Sequence, residues 1–208
     1  MKTRSYLTIA TGFFLTLSAT RAQEVALGEI TFDAASADTD ATWYDPMRFD
    51  SPTVLAGFGA TTGRSRTVTY SSGGLVAGVK TIKRQTVETG IAPTTETLWI
   101  AFDAANDSRV LKIERSGAVV FEASAAVSPP LYLPSLPTDG QTWNLAGVKV
   151  TVDSVIVSNS GTCLKVTYGA GEQAESRFLR VGDGIIYIEA GNDSGWRPGT
   201  PQFTPSHP

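Results

Sequence analysis

The stretch TCLKVTYGAGEQAESRFLRVGDGIIYIEA, residues 162–190, decides the fold. Leu164, Val166 and Tyr168 alternate with polar residues, which is typical of a strand with one buried face. Asp183-Gly184 is a preferred pair for a two-residue hairpin turn, so the stretch is predicted to be an antiparallel meander. The predicted pairs are Leu179 with Ile188 and Val181 with Ile186 on the inner face, and Phe178 with Glu189 and Arg180 with Tyr187 on the outer face.

An earlier stretch resembles this one. TLWIAF at 97–102 matches CLKVTY at 163–168, and SRVLKIERSGAVVFEA at 108–123 matches SRFLRVGDGIIYIEA at 176–190. The earlier copy is one residue longer. Its extra residue falls in a predicted three-residue loop, Ser116-Gly117-Ala118, so the strands on both sides of the loop keep their pairing register. The sequence therefore predicts a duplicated unit. The pairs and equivalences that follow are Ile113 with Phe121, Lys112 with Glu122, Leu111 equivalent to Leu179, and Ile113 equivalent to Val181.

These patterns predict an all-β protein, because no segment shows a sustained helical period. Antiparallel meanders in two related repeats are expected to form a sandwich or an open half-barrel. Four prolines between residues 128 and 137 remove ladder donors, which predicts an extended connector or edge strand. A change of phase at Asp153-Ser154 predicts a bulge. The predicted segments are a signal peptide (1–22), an N-terminal segment of strands and loops packing on the core (23–77), the first meander (78–127), the connector (128–144), the second meander (145–191) and a proline-rich tail without fixed structure (192–208).

The first 22 residues have the pattern of an export signal. Positive charge in residues 1–4 precedes an apolar run at 6–17 and a small-residue end at 18–22. The run is shorter than the roughly 20 residues of a spanning helix, so cleavage before Gln23 is favoured over a membrane anchor. The protein is expected to be exported to the periplasm, the cell surface or the medium, with no membrane span.

Charge and cysteine content limit the partners. The chain has 17 basic and 20 acidic residues, and the basic ones are scattered, so nucleic acid is not expected as a partner. Cys163 is the single cysteine and cannot form an internal disulfide. It is interpreted as a small side chain on a strand, with a surface thiol for dimerisation or redox sensing as the alternative.

Catalytic signals are weak. The one histidine, His207, lies next to the end of the chain, where a catalytic triad or a metal site has no support. A glycosidase with two carboxylates is the remaining enzyme class. Its candidates are Glu114, Glu122, Glu172, Glu175 and Glu189, of which cross-strand pairing explains Glu122 and Glu189. The sequence therefore predicts a protein that is not an enzyme and has no cofactor.

An acidic loop offers the one weak metal candidate. Asp38, Asp40 and Asp45 lie close together in sequence, and carboxylates in a loop can bind calcium. The loop lacks the glycine and terminal glutamate of an EF-hand, so a solvated acidic loop is the preferred interpretation.

The outer face of the meanders is the candidate ligand face. Trp99, Val120, Phe178, Arg180 and Tyr187 are placed there, and a solvated sheet face is normally more polar. Either these residues are covered within a sandwich or they line a shallow surface for a protein, a glycan or an apolar ligand.

Two motifs carry a resemblance. Thr162-Cys-Leu-Lys-Val166 followed by Gly182-Asp-Gly-Ile-Ile186, with a Pro-Leu segment leading to Trp143, resembles the C-terminal β-module of uncharacterised exported bacterial proteins. The resemblance covers about the last third of the chain and implies an all-β envelope protein. We expect a non-catalytic protein that binds or holds a partner at the cell envelope. The alternative is a carbohydrate-binding or carbohydrate-active protein that uses Trp43, Trp99 and Trp196 as aromatic platforms.

Overall fold

Antiparallel strands account for almost all regular structure in the computed structural model. The structure describes residues 23–34, 44–45, 47–49, 51–90, 92–158, 161–191 and 193–199. Helical elements in these ranges are limited to two single 3-10 turns, Gly59–Thr61 and Gly171–Gln173. The strands are β1 (Glu24–Leu27), β2 (Ile30–Asp33), β3 (Thr53–Phe58), β4 (Ser65–Val76), β5 (Val79–Thr89), β6 (Thr94–Phe102), β7 (Ser108–Arg115), β8 (Ala118–Glu122), β9 (Leu131–Leu133), β10 (Thr142–Leu145), β11 (Val148–Ser158), β12 (Gly161–Tyr168), β13 (Glu175–Arg180), β14 (Gly184–Ala190) and β15 (Gly195–Pro198).

Most of the strands belong to one continuous sheet, and β1 and β2 form a separate hairpin. The order across the sheet is β10-β11-β12-β13-β14-β15-β3-β4-β5-β6-β7-β8, and β9 pairs with β7. The sheet rolls over until β9 approaches β10, so the inner faces of its two halves share one core. The prediction of an all-β, antiparallel sandwich or half-barrel is confirmed.

Buried apolar side chains of both halves form this core. Every second residue of a strand points inward, and Val, Leu or Ile there stabilises the fold by about 1.5–3 kcal/mol when fully buried. Leu55, Val68, Ile82, Leu98 and Ile113 come from one half, and Val152, Leu164, Leu179, Ile188 and Trp196 from the other.

The C-terminal strand β15 joins the two halves of the sheet. Trp196 is opposite Ile188 on one side and opposite Gly57 on the other. The prediction that residues 192–208 lack fixed structure is therefore wrong for Gly195–Pro198, and residues 200–208 lie outside the described ranges. The prediction failed because it treated the whole proline-rich tail as one segment. Pro198 is the last residue of β15, and the other prolines of the tail come after the strand in sequence.

The hairpin β1–β2 lies on the outer face of the first meander. Leu27 and Phe32 are buried in a second cluster with Ala101, Leu111 and Ala123. The predicted N-terminal segment, residues 23–77, thus divides into an outer hairpin and two interior strands of the main sheet, β3 and β4.

The proposed equivalence of the two meanders is not confirmed. Leu111 lies in the outer cluster beneath β1–β2, whereas Leu179 lies in the inner core. Ile113 is buried, whereas Val181 is half-buried in a loop. In the sheet, Ile113 pairs with Leu98 as Leu179 pairs with Leu164. The sequence alignment was therefore out of step by two residues, and a bulge at Leu111 separately places that residue on the outer face.

The two hairpin turns are opposite to those predicted. Ser116-Gly117, with φ of 48° and 85°, is a two-residue turn, and the extra residue is Val120, which a bulge takes up. The pairs Ile113–Phe121 and Lys112–Glu122 are nevertheless confirmed.

In the second hairpin, residues 181–183 form a three-residue loop, so the predicted turn at Asp183-Gly184 is wrong. The register is accordingly different from the predicted one. The pairs present are Arg177 with Ile188, Phe178 with Tyr187, Leu179 with Ile185, and Arg180 with Gly184.

Two irregular features follow the sequence closely. The proline-rich connector, predicted as residues 128–144, contains the short strand β9, paired to β7 outside the main strand order, and its end forms the beginning of β10. The bulge predicted at Asp153-Ser154 is present, since the register shifts between Val152 and Ser154. Within the ranges described above, no helix is long and apolar enough to cross a membrane.

Candidate functional site

The predicted ligand-face residues divide between separate places on the outer surface. Trp99 is half-buried against the cluster beneath β1–β2, and the Lys112 ammonium lies 4.7 Å from its ring centre. Val120 is 50% exposed on β8, at the edge of the sheet. Neither residue belongs to the part of the outer face formed by β13 and β14.

Phe178 and Tyr187 do come together, and Phe58 joins them. The ring centres of Phe178 and Tyr187 are 5.4 Å apart, and those of Tyr187 and Phe58 are 5.7 Å apart. Phe58 could not be placed from sequence because β3 comes near β14 only through β15, which pairs with both strands. We call these three residues the aromatic strip.

Cations cover both ends of the aromatic strip. The Lys165 ammonium lies 5.3 Å from the ring centre of Phe178, and the Arg197 guanidinium lies 5.6 Å from that of Phe58. Cation–π contacts of this kind contribute about 0.5–1 kcal/mol at exposed sites. Arg180 instead pairs with Asp183 at 2.5 Å, next to the hairpin loop. The outer face is thus a set of rings already in contact with the protein's own charges.

The remaining candidates from the sequence are two tryptophans proposed as sugar platforms and three aspartates proposed as calcium ligands. Trp196 is 4% exposed in the core and cannot be an open platform, so that prediction is wrong. Trp43, Asp38 and Asp40 lie outside the described residues. Asp45 is buried and accepts hydrogen bonds from two tyrosines, and no group of three potential metal ligands occurs among the residues that the structure describes.

A network of buried polar side chains lies on the inner face of the rolled sheet, beside the hydrophobic core. The Asp45 carboxylate accepts hydrogen bonds from the hydroxyls of Tyr70, at 2.5 Å, and Tyr132, at 2.8 Å. Burial and the Asp45 charge both raise the pKa of Tyr70, and burial raises that of Tyr132, so both remain protonated donors. Asp45 thereby ties β4 to the connector strand β9.

Arg84 is the charged centre of this network. It is 2% exposed, donates from Nε to the Tyr70 hydroxyl at 3.2 Å and from Nη1 to Thr86 at 2.9 Å. Its second amino group, Nη2, has no hydrogen-bond partner among the described residues. Burial disfavours the charge, but the surrounding Tyr132, Tyr70 and Asp45 hold the pKa of Arg84 well above its ordinary value.

A second group of charges lies next to Arg84. Glu175 bridges Arg66 and Arg177, each at 2.7 Å, and Arg66 also contacts Glu88 at 3.1 Å. Burial would raise the pKa of Glu175, but Arg177 and Arg66 outweigh it and lower the value to about 2. Glu175 is therefore ionised at any physiological pH.

The arginines of this group are held by aromatic rings. The Arg66 guanidinium lies 3.7 Å from the Trp196 ring centre, and that of Arg177 lies 4.1 Å from the Tyr168 ring centre. Within the part of the chain that the structure describes, the buried Nε of Arg66 and the buried Nε1 of Trp196 have no hydrogen-bond partner. Unpaired buried donors are costly, so these two atoms are a local cost of the packing beside the cleft.

These charges line an open cleft with two parts, which we call the inner cleft. One part, of about 430 Å³, contains Arg66, Arg84, Thr86 and Glu88. The other, of about 400 Å³, contains apolar and aromatic side chains. Four residues are shared by the two parts: Glu96, Arg115, Glu175 and Arg177. The apolar part is lined by Leu98, Ile113, Tyr132, Leu145, Val148 and Tyr168.

The inner cleft was missed by reasoning from sequence, although one signal was present. In β5, Ile82, Arg84, Thr86 and Glu88 fall on the same face by alternation, and Ile82 is a core residue. An arginine and a glutamate on a core-facing side are rare unless they are paired. That pattern could have marked the interior of β5 as polar, but not its partners from β4 and β13.

Comparison with known proteins adds no relative. No family model matches the sequence, and searches of curated proteins and of solved structures find no match.

Proposed function

We propose that this is an exported, non-catalytic binding protein whose ligand site is the inner cleft. The proposal of export is supported by the signal-like pattern of residues 1–22. The proposal of binding is supported by a concave, pre-formed site in which charged side chains converge beside apolar ones.

The observation that carries the proposal is the state of Arg84. A guanidinium that is 2% exposed would normally have all its donors paired, yet Nη2 has no partner among the described residues. Asp45 lies 3.9 Å from Nε and is already taken by two tyrosines. A ligand with acceptor atoms in the cleft would complete the hydrogen bonding of Arg84.

The unused N–H donors of the cleft favour a ligand with negatively charged acceptor atoms. Its three carboxylates are each held by arginine: Glu88 and Glu175 by Arg66, and Glu96 by Arg115 at 3.0 Å. Each guanidinium has five N–H donors, so the four arginines retain more donors than these contacts use. Acceptors are therefore what the cleft lacks.

The same pairing favours binding over catalysis. A glycosidase needs one carboxylic acid with a raised pKa as its proton donor. The pKa of Glu175 is instead lowered to about 2, and Glu114 and Glu189 outside the cleft are paired with Lys112 and Lys165. We accordingly propose no catalytic residue.

Binding of a glycan or protein partner by the aromatic strip is the less supported alternative. Sugars stack on open ring faces, whereas Lys165 and Arg197 already lie against Phe178 and Phe58. The strip is explained as a cation-covered outer face that remains stable in water.

Thermal unfolding with small anions, neutral molecules and cations at one ionic strength tests the proposal. A ligand at 100 times its Kd stabilises by about 2.7 kcal/mol, which shifts Tm by several degrees. We expect such shifts with anions only. The shifts should persist in Arg180→Gln, which changes an outer arginine, and vanish in the charge-balanced double variant Arg84→Met with Asp45→Asn. No shift with any anion would overturn the proposal.

A further inference from the structure

The two parts of the inner cleft differ in chemistry, and together they indicate a ligand class. We infer that the cleft binds a monocarboxylic acid with an apolar body, the carboxylate lying at Arg84 and Arg177 and the body along the apolar part. This inference rests on the proposed function and specifies its ligand.

The head group is indicated by the donors of Arg84, in the charged part, and of Arg177, at the junction of the two parts. Arg84 has its Nη2 free of described partners, and Arg177 donates from Nε to Glu175, which leaves its two amino groups available. A planar guanidinium matches a carboxylate in two parallel hydrogen bonds, a geometry that a hydroxyl or an amine cannot reproduce.

The charge of the lining indicates a single negative charge on the ligand. The charged part contains Arg66, Arg84, Arg115 and Arg177 against Glu88, Glu96 and Glu175, and Asp45 lies behind Arg84. With Asp45 counted the four arginines are already balanced, so a monocarboxylate adds one unmatched negative charge and a dianion such as phosphate adds two, and partial burial makes the second charge costly.

The body is indicated by the apolar part. Leu98 and Ile113 form its floor as core residues, and Leu145, Val148 and Tyr168 are half-buried around it. When a hydrocarbon covers half-buried apolar side chains around an open cavity, binding becomes more favourable by about 25 cal/mol per Å² of apolar surface removed from water. An acid without a body would leave this surface in water.

Calorimetric titration with four probes tests the inference. The probes are octanoate, acetate, octan-1-ol and inorganic phosphate, each at the same ionic strength. We expect octanoate to bind at least tenfold more tightly than acetate and phosphate, and octan-1-ol not to bind measurably. Equal binding of octanoate and octan-1-ol would overturn the carboxylate site, and equal binding of octanoate and acetate would overturn the apolar one.

Two variants separate the parts of the site. Val148→Trp fills the apolar part without touching the charges, so octanoate should weaken at least tenfold while acetate stays within twofold. Arg84→Met with Asp45→Asn should weaken both acids at least tenfold, and unchanged octanoate binding in either variant would contradict the inference. Should phosphate bind more tightly than octanoate and lose that binding in the double variant, the monocarboxylate inference fails while the anion-binding function stands. If no anion binds the folded protein, both fail.

Discussion

The Nε atom of Arg84 lies 3.9 Å from a carboxylate oxygen of Asp45, and both side chains are less than 5% exposed. Two tyrosine hydroxyls complete the arrangement by donating to the same carboxylate. Since the partners come from β4, β5, β9 and the segment before β3, this ion pair fixes the position of four parts of the chain. It also leaves one side of the guanidinium directed at the inner cleft.

Removing one member of this pair should destabilise the protein strongly. Asp45→Asn leaves the Arg84 charge buried without its counter-ion, for which a cost of about 3–5 kcal/mol is expected. Adding Arg84→Met should recover part of the loss, because no unpaired charge remains. Urea unfolding of the two variants measures both values, and an Asp45→Asn loss below about 1 kcal/mol would contradict the account.

The stability should fall in acid as Glu175 becomes protonated. The pKa of Glu175 is lowered from 4.5 to about 2 in the folded protein, so the unfolded chain takes up the proton first as the pH falls. The stabilisation is complete above about pH 5 and is lost progressively toward pH 2, amounting to at most about 3 kcal/mol. Urea unfolding between pH 6 and pH 2.5 should show a shallower acid decline in Glu175→Gln than in wild type. Glu172→Gln, in an exposed turn, is the control. If stability declines as steeply in Glu175→Gln as in wild type, Glu175 is not the group responsible for the decline.

The joining role of β15 predicts an unequal pair of glycine substitutions. In Gly195→Ala the new Cβ would lie 2.0 Å from the carbonyl oxygen of Ile188, so β14 and β15 must separate. In Gly182→Ala no atom of the described residues lies within 4 Å of the new Cβ, and the cost is that of the positive φ of 82°, about 1 kcal/mol. Thermal unfolding should show a loss at least twice as large for Gly195→Ala. Equal losses would mean that β15 is not held in the sheet.

The thiol of Cys163 should react slowly. Burial raises the pKa of this cysteine, so less thiolate is present at pH 7 than in an exposed cysteine. Iodoacetamide should therefore modify the native protein several-fold more slowly than the urea-unfolded protein, and non-reducing electrophoresis should show a monomer. Rapid modification or a disulfide dimer would instead support the surface-thiol interpretation.

The class of fold could be predicted from sequence because alternation is local. Leu164 and Val166, or Leu98 and Ile100, show their inner face without knowledge of the neighbouring strands. The bulge at Val152 and Ser154 was visible for the same reason, as a change of phase within one strand.

The hairpin registers and the site could not be predicted in this way. A bulge at Leu111 or Ile186 moves a pairing without changing the composition of the strand, and this made two different meanders look like a repeat. The inner cleft needs Arg66, Arg84 and Arg177 from three strands, and only the closure of the sheet brings these side chains together. The positions of Phe58 and Trp196 could not be predicted for a related reason, because they depend on the insertion of the C-terminal strand β15 between β14 and β3.

The central claim is that a ligand binds at the buried guanidinium groups of the inner cleft. Two-dimensional ¹⁵N–¹H spectra of the arginine Nε–Hε groups, recorded during titration with octanoate, test it most directly. The account predicts saturable shifts of the Arg66, Arg84 and Arg177 signals. Those of Arg180 and of Arg48, which donates to the Gly182 carbonyl outside the cleft, should stay unchanged. Saturable shifts confined to Arg180 or Arg197, or no shift at Arg84 at saturating octanoate, would contradict it.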